Sequence, residues 1–370
     1  MSPLDVDELV AAGLYDPGAP DAVEQLNLLR LLEARGGTIE QMVRANEAGR
    51  LSRLAAELLV VTGPDRYTAA EVAAGAGVGV DRFIELWRVA GFADPASDDD
   101  RFTEAEVELV RTFETGADLF GEAATMQLLR VVGGSVSRVA DAAVSTFITT
   151  LGASAMAADP VTGALAEANL AAAALFPRLS AAMDGLLRHH LVEAARPNVT
   201  GVSSGFETVT ATVGFVDIVG STGLATHLPL GDVGRAIASF EEHAANVVAA
   251  SGGRVVKFIG DEVMFRVHDP AAACHVALTI VARFSDDEVL PGARAAVAFG
   301  DLLVRDGDYF GPVVNVAARA TKLARPGTVL ATASVRDAVP AAAGLRFVTV
   351  PSRRLKGFDN PVTLFAVEEA

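Results

Sequence analysis

The sequence predicts two domains of different fold class: an all-α N-terminal domain over residues 1–196 and an α/β C-terminal domain over residues 206–370. A linker over residues 197–205 joins them. The length of 370 residues indicates more than one core, because single cores stop growing at about 250–300 residues. The hydrophobic pattern also changes at the linker. Apolar residues before it recur at the spacing of a helix face, and β-branched runs of strand length follow it.

The composition narrows the class of protein. A chain that is 51% hydrophobic and 21% charged is typical of folded globular proteins. A net charge of -17 argues against binding the phosphate backbone of nucleic acids, which requires clustered lysine and arginine. The only cysteine, Cys274, excludes an intramolecular disulfide, and its apolar surroundings predict a buried side chain.

No targeting or membrane-spanning segment is expected. The first residues lack the basic region and apolar core of a signal peptide. The best membrane candidate, residues 142–158, carries no charge, but polar residues and a glycine interrupt it, and a span requires about 20 residues. We therefore expect this segment to be a buried helix in a soluble, cytoplasmic protein.

The N-terminal half is predicted to be helical throughout. Its leucines recur three and four residues apart, as on one face of a helix. No segment of this half alternates between apolar and polar residues over the length of a strand. The two clearest leucine sets are Leu26, Leu29, Leu31 and Leu32, and then Leu51, Leu54, Leu58 and Leu59.

Residues 67–113 resemble a helix-turn-helix with the extension typical of MerR-like proteins. A helix that binds DNA needs basic residues, and the second helix here offers only Arg82 and Arg88, beside Asp81 and Glu85. We therefore expect no nucleic acid partner. A DNA-binding regulator stays an alternative.

The C-terminal half alternates strands and helices. Asp269 is placed to cap the second of its helices, with Pro270 at the first helical position. The order strand, helix, hairpin, helix, strand (βαββαβ) predicts a ferredoxin-like α/β sandwich with one helical layer. The predicted strands cover residues 209–218, 254–259 and 262–265, and the predicted helices cover residues 230–250 and 270–284.

The first predicted strand ends in a carboxylate, Asp217, followed by a turn of small residues, Gly220, Ser221 and Thr222. A carboxylate at a strand end suits a divalent cation, and free backbone N–H groups at a helix N-terminus suit the phosphates that the cation binds. An aspartate in an ordinary loop between a strand and a helix has the same pattern. The motif alone leaves both interpretations open.

A second carboxylate lies in the predicted hairpin, where Gly260 and Asp261 form the tip. Two carboxylates side by side can hold two divalent cations, which activate an attacking oxygen and screen a leaving phosphate. The Gly-Asp pair is also a favourable hairpin turn in its own right.

These two motifs are followed in order by Asp308-Tyr309-Phe310-Gly311 through Asn315 to Arg319, and by Arg354-Leu355-Lys356-Gly357. Together they resemble the class III nucleotidyl cyclase homology domain over about residues 206–365. The resemblance implies an adenylate cyclase, which converts ATP to 3′,5′-cyclic AMP and pyrophosphate. It also implies two divalent cations per site, Mg²⁺ or Mn²⁺, held by Asp217, Ile218 and Asp261.

The resemblance assigns substrate roles to five further residues. Lys257 and Asp308 correspond to the pair that selects adenine, and Lys356 to a lysine that contacts phosphate. Asn315 corresponds to the residue that orients the ribose, and Arg319 to the one that stabilises the transition state. The spacing is consistent with this, because residues four apart on a helix project from the same face.

The same resemblance implies a head-to-tail homodimer with two shared active sites. One chain offers the metal-binding carboxylates, and its partner offers the lysine, aspartate, asparagine and arginine. A catalytically inactive cyclase-like regulatory protein is the main alternative. A diguanylate cyclase is disfavoured, because Ile259 stands where that family has a second glycine.

The N-terminal half resembles the regulatory domain of soluble actinobacterial cyclases. The matching segments are 12–16, 49–51 and 86–88. In that family the domain is autoinhibitory, and in some members acid pH or fatty acids tune it. His189 and His190 are the regulatory candidates, because a histidine pair titrates between pH 5 and 8. Two ordinary surface histidines are an equally good interpretation.

Overall fold

The chain divides into two compact units, Met1–Ala195 and Arg196–Ala370. The computed structural model describes residues 5–34, 36–51, 54, 57–58, 66–96, 101–152, 168, 171–172, 174–194, 201–203, 206–220, 228–285, 290, 292–352, 354–355, 358 and 361–370.

The described part of the first unit is helical, with one isolated β-bridge between Tyr67 and Phe102. Three of its helices begin with a capping box, in which a threonine and a glutamate or glutamine satisfy each other's backbone N–H groups. The helices are α1 (Val6–Ala11), α2 (Ala22–Ala34), α3 (Ile39–Glu47), α4 (Ala69–Ala76), α5 (Val80–Val89), α6 (Glu104–Phe120), α7 (Glu122–Phe147), which continues as a π-helical turn (Ile148–Gly152), and α8 (Phe176–Ala194).

Two hydrophobic clusters organise this unit. One gathers buried residues of α1, α2 and α3, and the other gathers those of α4 to α7. In the second cluster, the ring of Phe102 meets Phe83 and Trp87 edge to face, with centroids 5.2 Å and 5.1 Å apart. This is a preferred aromatic geometry, so the predicted helix-turn-helix segment has a well-defined core.

Both arginines of α5 are engaged by carboxylates of the same unit. Arg82 donates to Glu114 and Glu122, each at 2.7 Å, and Arg88 pairs with Asp94. A DNA-reading helix needs its cations for phosphate, so these ion pairs disfavour the DNA-binding alternative.

The longest helix is apolar and exposed. Over Glu122–Leu151 it meets the length and composition of a membrane span. Its second half is largely exposed, including Val144 and Ile148. The prediction of a buried helix is therefore wrong for the described part of residues 142–158, and residues 153–158 lie outside the described residues. A run without charged residues shows that a segment is apolar, but burial also requires another surface to pack against. Among the described residues, this stretch has no such surface over it.

The second unit contains the predicted βαββαβ order, which runs from the second strand to the fifth and is confirmed. The elements are β1 (Gly201–Ser203), β2 (Phe206–Ile218), α9 (Leu230–Ala250), β3 (Arg254–Ile259), β4 (Glu262–Val267), α10 (Pro270–Arg283), β5 (Ala293–Arg305), β6 (Asp308–Phe310), α11 (Pro312–Leu323), β7 (Val329–Thr332), α12 (Ala333–Ala338), a 3₁₀ turn (Ala341–Ala343), β8 (Leu345–Thr349) and β9 (Leu364–Glu369).

One sheet carries all the described strands, in the order β3-β4-β2-β5-β7-β9-β8, with β1 beside β2 and β6 beside β5. The strands β3, β4, β2 and β5 are antiparallel neighbours, as in a ferredoxin-like sheet, and β7 lies parallel to β5. The predicted linker over residues 197–205 is wrong in part. Gly201 pairs with Thr208 and Ser203 with Phe206, because residues 201–203 form a strand antiparallel to β2.

Helices cover both faces of this sheet, so the expectation of one helical layer is wrong. On one face Val216 and Ile218 pack against α9 and α10, and on the other Val213 and Phe215 pack against Ala317 of α11. Residues 211–218 are buried without interruption. A continuous buried run is what a strand with cover on both faces requires.

Two local predictions about α10 are confirmed. Asp269 caps the helix by accepting a hydrogen bond from the N–H of Ala271 at 3.0 Å, and Pro270 is the first helical residue. Cys274 is fully buried on this helix, and burial raises the pKa of its thiol to about 12. The cysteine is therefore a small core side chain.

At the centre of the sheet, Gly214 of β2 lies beneath the ring of Phe265 of β4. A Cβ atom at position 214 would stand 2.1 Å from the phenylalanine ring. Only glycine permits this close packing, because the ring is itself fully buried and has nowhere to move.

Gly214→Ala is therefore expected to destabilise the chain by roughly 3 kcal/mol, through overpacking. The double variant G214A/F265L should recover part of this loss, because leucine vacates the space that the added methyl group needs. Thermal unfolding of both variants, with F265L alone as the control, measures the effect. A melting temperature of G214A equal to that of the wild type would show that the contact is not tight.

Candidate active site

The sheet places three charged residues in one row. Asp217, near the end of β2, is the cross-strand partner of Glu262 on β4 and of Arg294 on β5. The side chain of Asp217 is only 5% exposed. The predicted carboxylate therefore lies in a buried position, where its charge needs partners.

Two cations supply those partners. Oδ2 of Asp217 accepts hydrogen bonds from Nε of Arg294 at 2.9 Å and from Nη2 at 2.7 Å, and Oδ1 accepts one from Nζ of Lys322 at 2.9 Å. The guanidinium is held further by a 3.2 Å hydrogen bond from Nη1 to the carbonyl of Lys322. Charge-assisted bonds of this kind are stronger than neutral ones.

Glu262 completes the cluster. Its side chain is 11% exposed, and Oε1 lies 3.4 Å from Nζ of Lys322 without forming a hydrogen bond. Burial raises the pKa of Glu262 above its ordinary value. The negative charges of Asp217 and Asp261 add to that increase, and Lys322 opposes it.

Arg294, Lys322 and Glu262 were not singled out from the sequence as site residues. Arg294 gives the clearest signal, because it is the one charged residue in the apolar run Ala293–Phe299. Glu262 directly follows the hairpin aspartate. Lys322 gives no signal of its own, since a lysine in the last turn of a helix is ordinary.

Asp261 reaches the same end of the sheet. The N–H of Ile218 donates to the carbonyl of Asp261 at 3.2 Å, and Gly260 takes a left-handed conformation, with φ of +64°, at the hairpin turn. The side chain of Ile218 is buried in the core. Ile218 can therefore meet a cation only through its main-chain carbonyl.

The donors at this edge fit a hard divalent cation. Carboxylates and a main-chain carbonyl are the oxygen ligands that Mg²⁺ and Mn²⁺ prefer. Asp217 already stabilises positive charge in its buried position, as its bonds to two cationic side chains show. No cluster of three or more histidine, cysteine, aspartate or glutamate side chains able to hold a metal occurs among the described residues. The remaining ligands would have to come from water or from a bound phosphate.

The predicted substrate pair is brought together at a different place. Lys257 on β3 forms an ion pair with Asp308 on β6, 51 residues further along the chain. The other carboxylate oxygen of Asp308 accepts the N–H of Tyr309 at 2.8 Å. Both side chains keep access to solvent, so a ligand can reach them.

Helix α11 carries the other two predicted residues. It begins after Gly311, with Pro312 in its first turn, and it presents Asn315 at the surface. Arg319, one turn later, lies over the ring of Phe358 at 5.2 Å from the centroid. The cation–π contact orients the guanidinium without neutralising it.

The remaining predicted residues are placed as follows. Gly220, two residues after the end of β2, has a positive φ of +71°, whereas Ser221, Thr222 and Lys356 lie outside the described residues. His189 and His190 are exposed on α8. The structure thus positions the carboxylates, the Lys257–Asp308 pair and the α11 residues. Of the predicted phosphate contacts, it describes Gly220 alone.

Comparison with known proteins supplies the family. No protein-family model matches the chain. An uncharacterized protein of Mycobacterium tuberculosis is 35% identical over 374 residues, which cover 99% of this chain and 95% of the relative. An adenylate cyclase of Glutamicibacter nicotianae is 30% identical over 352 residues, which cover 89% of this chain and 85% of the relative.

Two further matches are confined to part of the chain. A pH-sensitive adenylate cyclase of Mycobacterium tuberculosis is 39% identical over 159 residues, or 42% of this chain and 40% of the relative. The solved structure of the adenylyl cyclase CyaB from Pseudomonas aeruginosa is 20% identical, with a TM-score of 0.41, and the match covers 45% of this chain and 96% of that one.

The full-length relatives, together with the ordered motifs from Asp217 to Arg319, show that the chain belongs to the class III adenylyl cyclases.

Proposed function

We propose that the chain is an adenylate cyclase that converts ATP to 3′,5′-cyclic AMP and pyrophosphate. The observation that carries the choice of ATP is the pairing of Lys257 with Asp308 across 51 residues. One donor and one acceptor side by side match the edge of adenine, which offers a ring nitrogen as acceptor and an amino group as donor. In the free chain the two side chains satisfy each other.

In the reaction, the ribose 3′-oxygen forms a bond to the α-phosphorus, and the bond from that phosphorus to the bridging oxygen breaks. The 3′-hydroxyl gives its proton to water, and pyrophosphate leaves. Asp217 and Asp261, with the carbonyl of Ile218, would hold the divalent cations. When bound, these lower the pKa of the hydroxyl and screen the leaving group.

The residues of α11 act on the reacting end of ATP in this proposal. Asn315 orients the ribose, and Arg319 stabilises charge that develops on the phosphoryl oxygens. A guanidinium suits that task, because it stays protonated and presents a planar fork of donors. Losing such a contact costs about 100–1000-fold in rate. The backbone of residues 220–222 and Lys356 would contact the departing phosphates.

We expect the double variant Lys257→Glu with Asp308→Ala to lose its preference for ATP over GTP. The glutamate would repel the acceptor edge of adenine and accept from the donor edge of guanine, while alanine removes the acceptor for the amino group. The ratio of kcat/KM for the two nucleotides measures this. A ratio unchanged from the wild type would overturn the adenine assignment, and Arg336→Gln, on the surface of α12, controls for a general change of charge.

The active sites are proposed to be shared between two copies of the chain. Within one chain, Asp217 pairs with Arg294 and Lys322, whereas Lys257 pairs with Asp308. These are separate charge clusters, which supports a division of the site into two halves. In a twofold symmetric dimer, the carboxylates of each chain would meet the remaining site residues of its partner, so two complete sites would form.

Mixing an Asp217→Ala chain with an Arg319→Ala chain is expected to restore activity that neither has alone. With random exchange, half of the dimers are mixed and each of these has one intact site, so about one quarter of the wild-type rate should return. Cyclic AMP formation with Mn²⁺ is the measurement. If the mixture stays as inactive as its components after subunit exchange is verified, the sites are not shared.

A catalytically inactive, cyclase-like regulator is the second candidate. One observation favours it: the buried carboxylate of Asp217 is already satisfied by two cationic side chains. The same cyclic AMP assay on the wild-type chain separates the two candidates, because a regulator of this kind forms no product.

We infer further that the first unit regulates the second, by protons or by a fatty acid. The similarity to a cyclase described as pH-sensitive supports a role for protons. His189 and His190 lie on α8, the last described helix before the sheet begins, and both are exposed. Histidine is the side chain that proteins most often use to respond to acid, so this pair is the candidate for the sensor.

If the pair is the sensor, its replacement should flatten the dependence of activity on pH. We expect the wild-type chain to gain activity on acidification and the variant H189A/H190A to lose that gain, with kcat at pH 8 unchanged. Profiles of kcat against pH from 5.5 to 8 give the comparison. Coinciding profiles for the two proteins would refute the role, and His243→Gln, in the second unit, is the control.

A further inference from the structure

Lys322 occupies an unusual place in the last turn of α11. Its Nζ lies 2.9 Å from Oδ1 of Asp217 and 3.4 Å from Oε1 of Glu262, and its side chain remains 51% exposed. Burial acts to lower the pKa of Lys322, but the two carboxylates outweigh it and raise that pKa above its ordinary value. The ammonium is therefore a firmly charged group that bridges two buried anions.

The two cations at Asp217 are held differently. Arg294 is 24% exposed, donates two hydrogen bonds to Oδ2 and is anchored to the carbonyl of Lys322. The lysine contributes one hydrogen bond from a long stem that reaches in from solvent. An ammonium is a point charge without the planar fork that fixes a guanidinium, so Lys322 is the partner that can leave.

The carboxylates depend on this exchangeable cation. Oδ1 of Asp217 has Lys322 as its partner, and Oε1 of Glu262 is buried with no hydrogen bond, so the ammonium is the positive charge that lies close to both carboxylates. Two buried carboxylates in neighbouring strands repel each other, and a positive charge beside both offsets that repulsion.

We propose that Lys322 is a built-in counter-ion of the metal-free site, which stabilises the Asp217–Glu262 pair and which a divalent cation must displace to bind. Lys322 thereby sets the affinity for metal, and its side chain moves into solvent when the metal enters. This inference rests on the proposed function, since it takes Asp217 as a metal ligand.

Binding of Mn²⁺ to the full-length chain without nucleotide tests the proposal. The signal of free Mn²⁺ in electron paramagnetic resonance gives the affinity independently of activity. We expect K322Q to bind Mn²⁺ about tenfold more tightly than the wild type, because the competing charge-assisted hydrogen bond is gone. K322R keeps the competing charge and should retain the weaker affinity. Arg325→Gln removes a positive charge three residues away that pairs with neither carboxylate, and it should leave the affinity unchanged.

Thermal unfolding without metal gives a second readout. K322Q should melt about 2–4 °C below the wild type in the presence of a chelator, because the buried carboxylates lose their counter-ion. Saturating Mn²⁺ should remove this difference. K322R should melt like the wild type, which separates loss of charge from loss of the aliphatic stem.

Two results would overturn the inference, and they are distinguishable. If Asp217→Asn abolishes Mn²⁺ binding but K322Q binds with wild-type affinity, the metal site is real and Lys322 does not compete for it. If Asp217→Asn leaves Mn²⁺ binding unchanged, the proposed metal site itself is wrong, and the role of Lys322 fails with it.

Discussion

The structure of the second unit depends on how it pairs a buried carboxylate inside a sheet. Asp217 lies on the central strand β2 and is almost fully buried, so its charge must be met by other charges. Arg294 comes from the neighbouring strand and Lys322 from α11, which packs on one face of the sheet. The position of that helix, α11, is thus tied to the chemistry of the strand end by an ion pair as well as by apolar packing.

Cover on both faces of the sheet makes this arrangement possible. The helices α9 and α10 bury one face of β2, while α11 crosses the other face and carries Asn315, Arg319 and Lys322. A fold with helices on one face only would leave the second face of β2 exposed to solvent. The carboxylate would then be hydrated and would need no counter-ion.

The element order follows largely from local patterns. The βαββαβ order, the Asp269 cap and the burial of Cys274 were predictable, because each depends on neighbours within a few residues. The motifs around Asp217, Asp261 and Arg319 were sufficient to indicate the cyclase family, since their order along the chain is itself the signal. Two wrong predictions needed a distant partner: the single helical layer and the buried apolar helix. The linker was wrong in part because residues 201–203 pair with β2 close by in the chain.

The sequence by itself determined the family, the strand and helix order, and which side chains are available for metal and nucleotide. Only the tertiary structure decided which charges meet. Arg294 lies 77 residues and Lys322 105 residues from Asp217 along the chain, and Lys257 lies 51 residues from Asp308. Periodicity and spacing report interactions within a helix, a strand or a turn. Contacts over such separations are set by sheet register and by the placement of α11, which depend on packing of the whole unit.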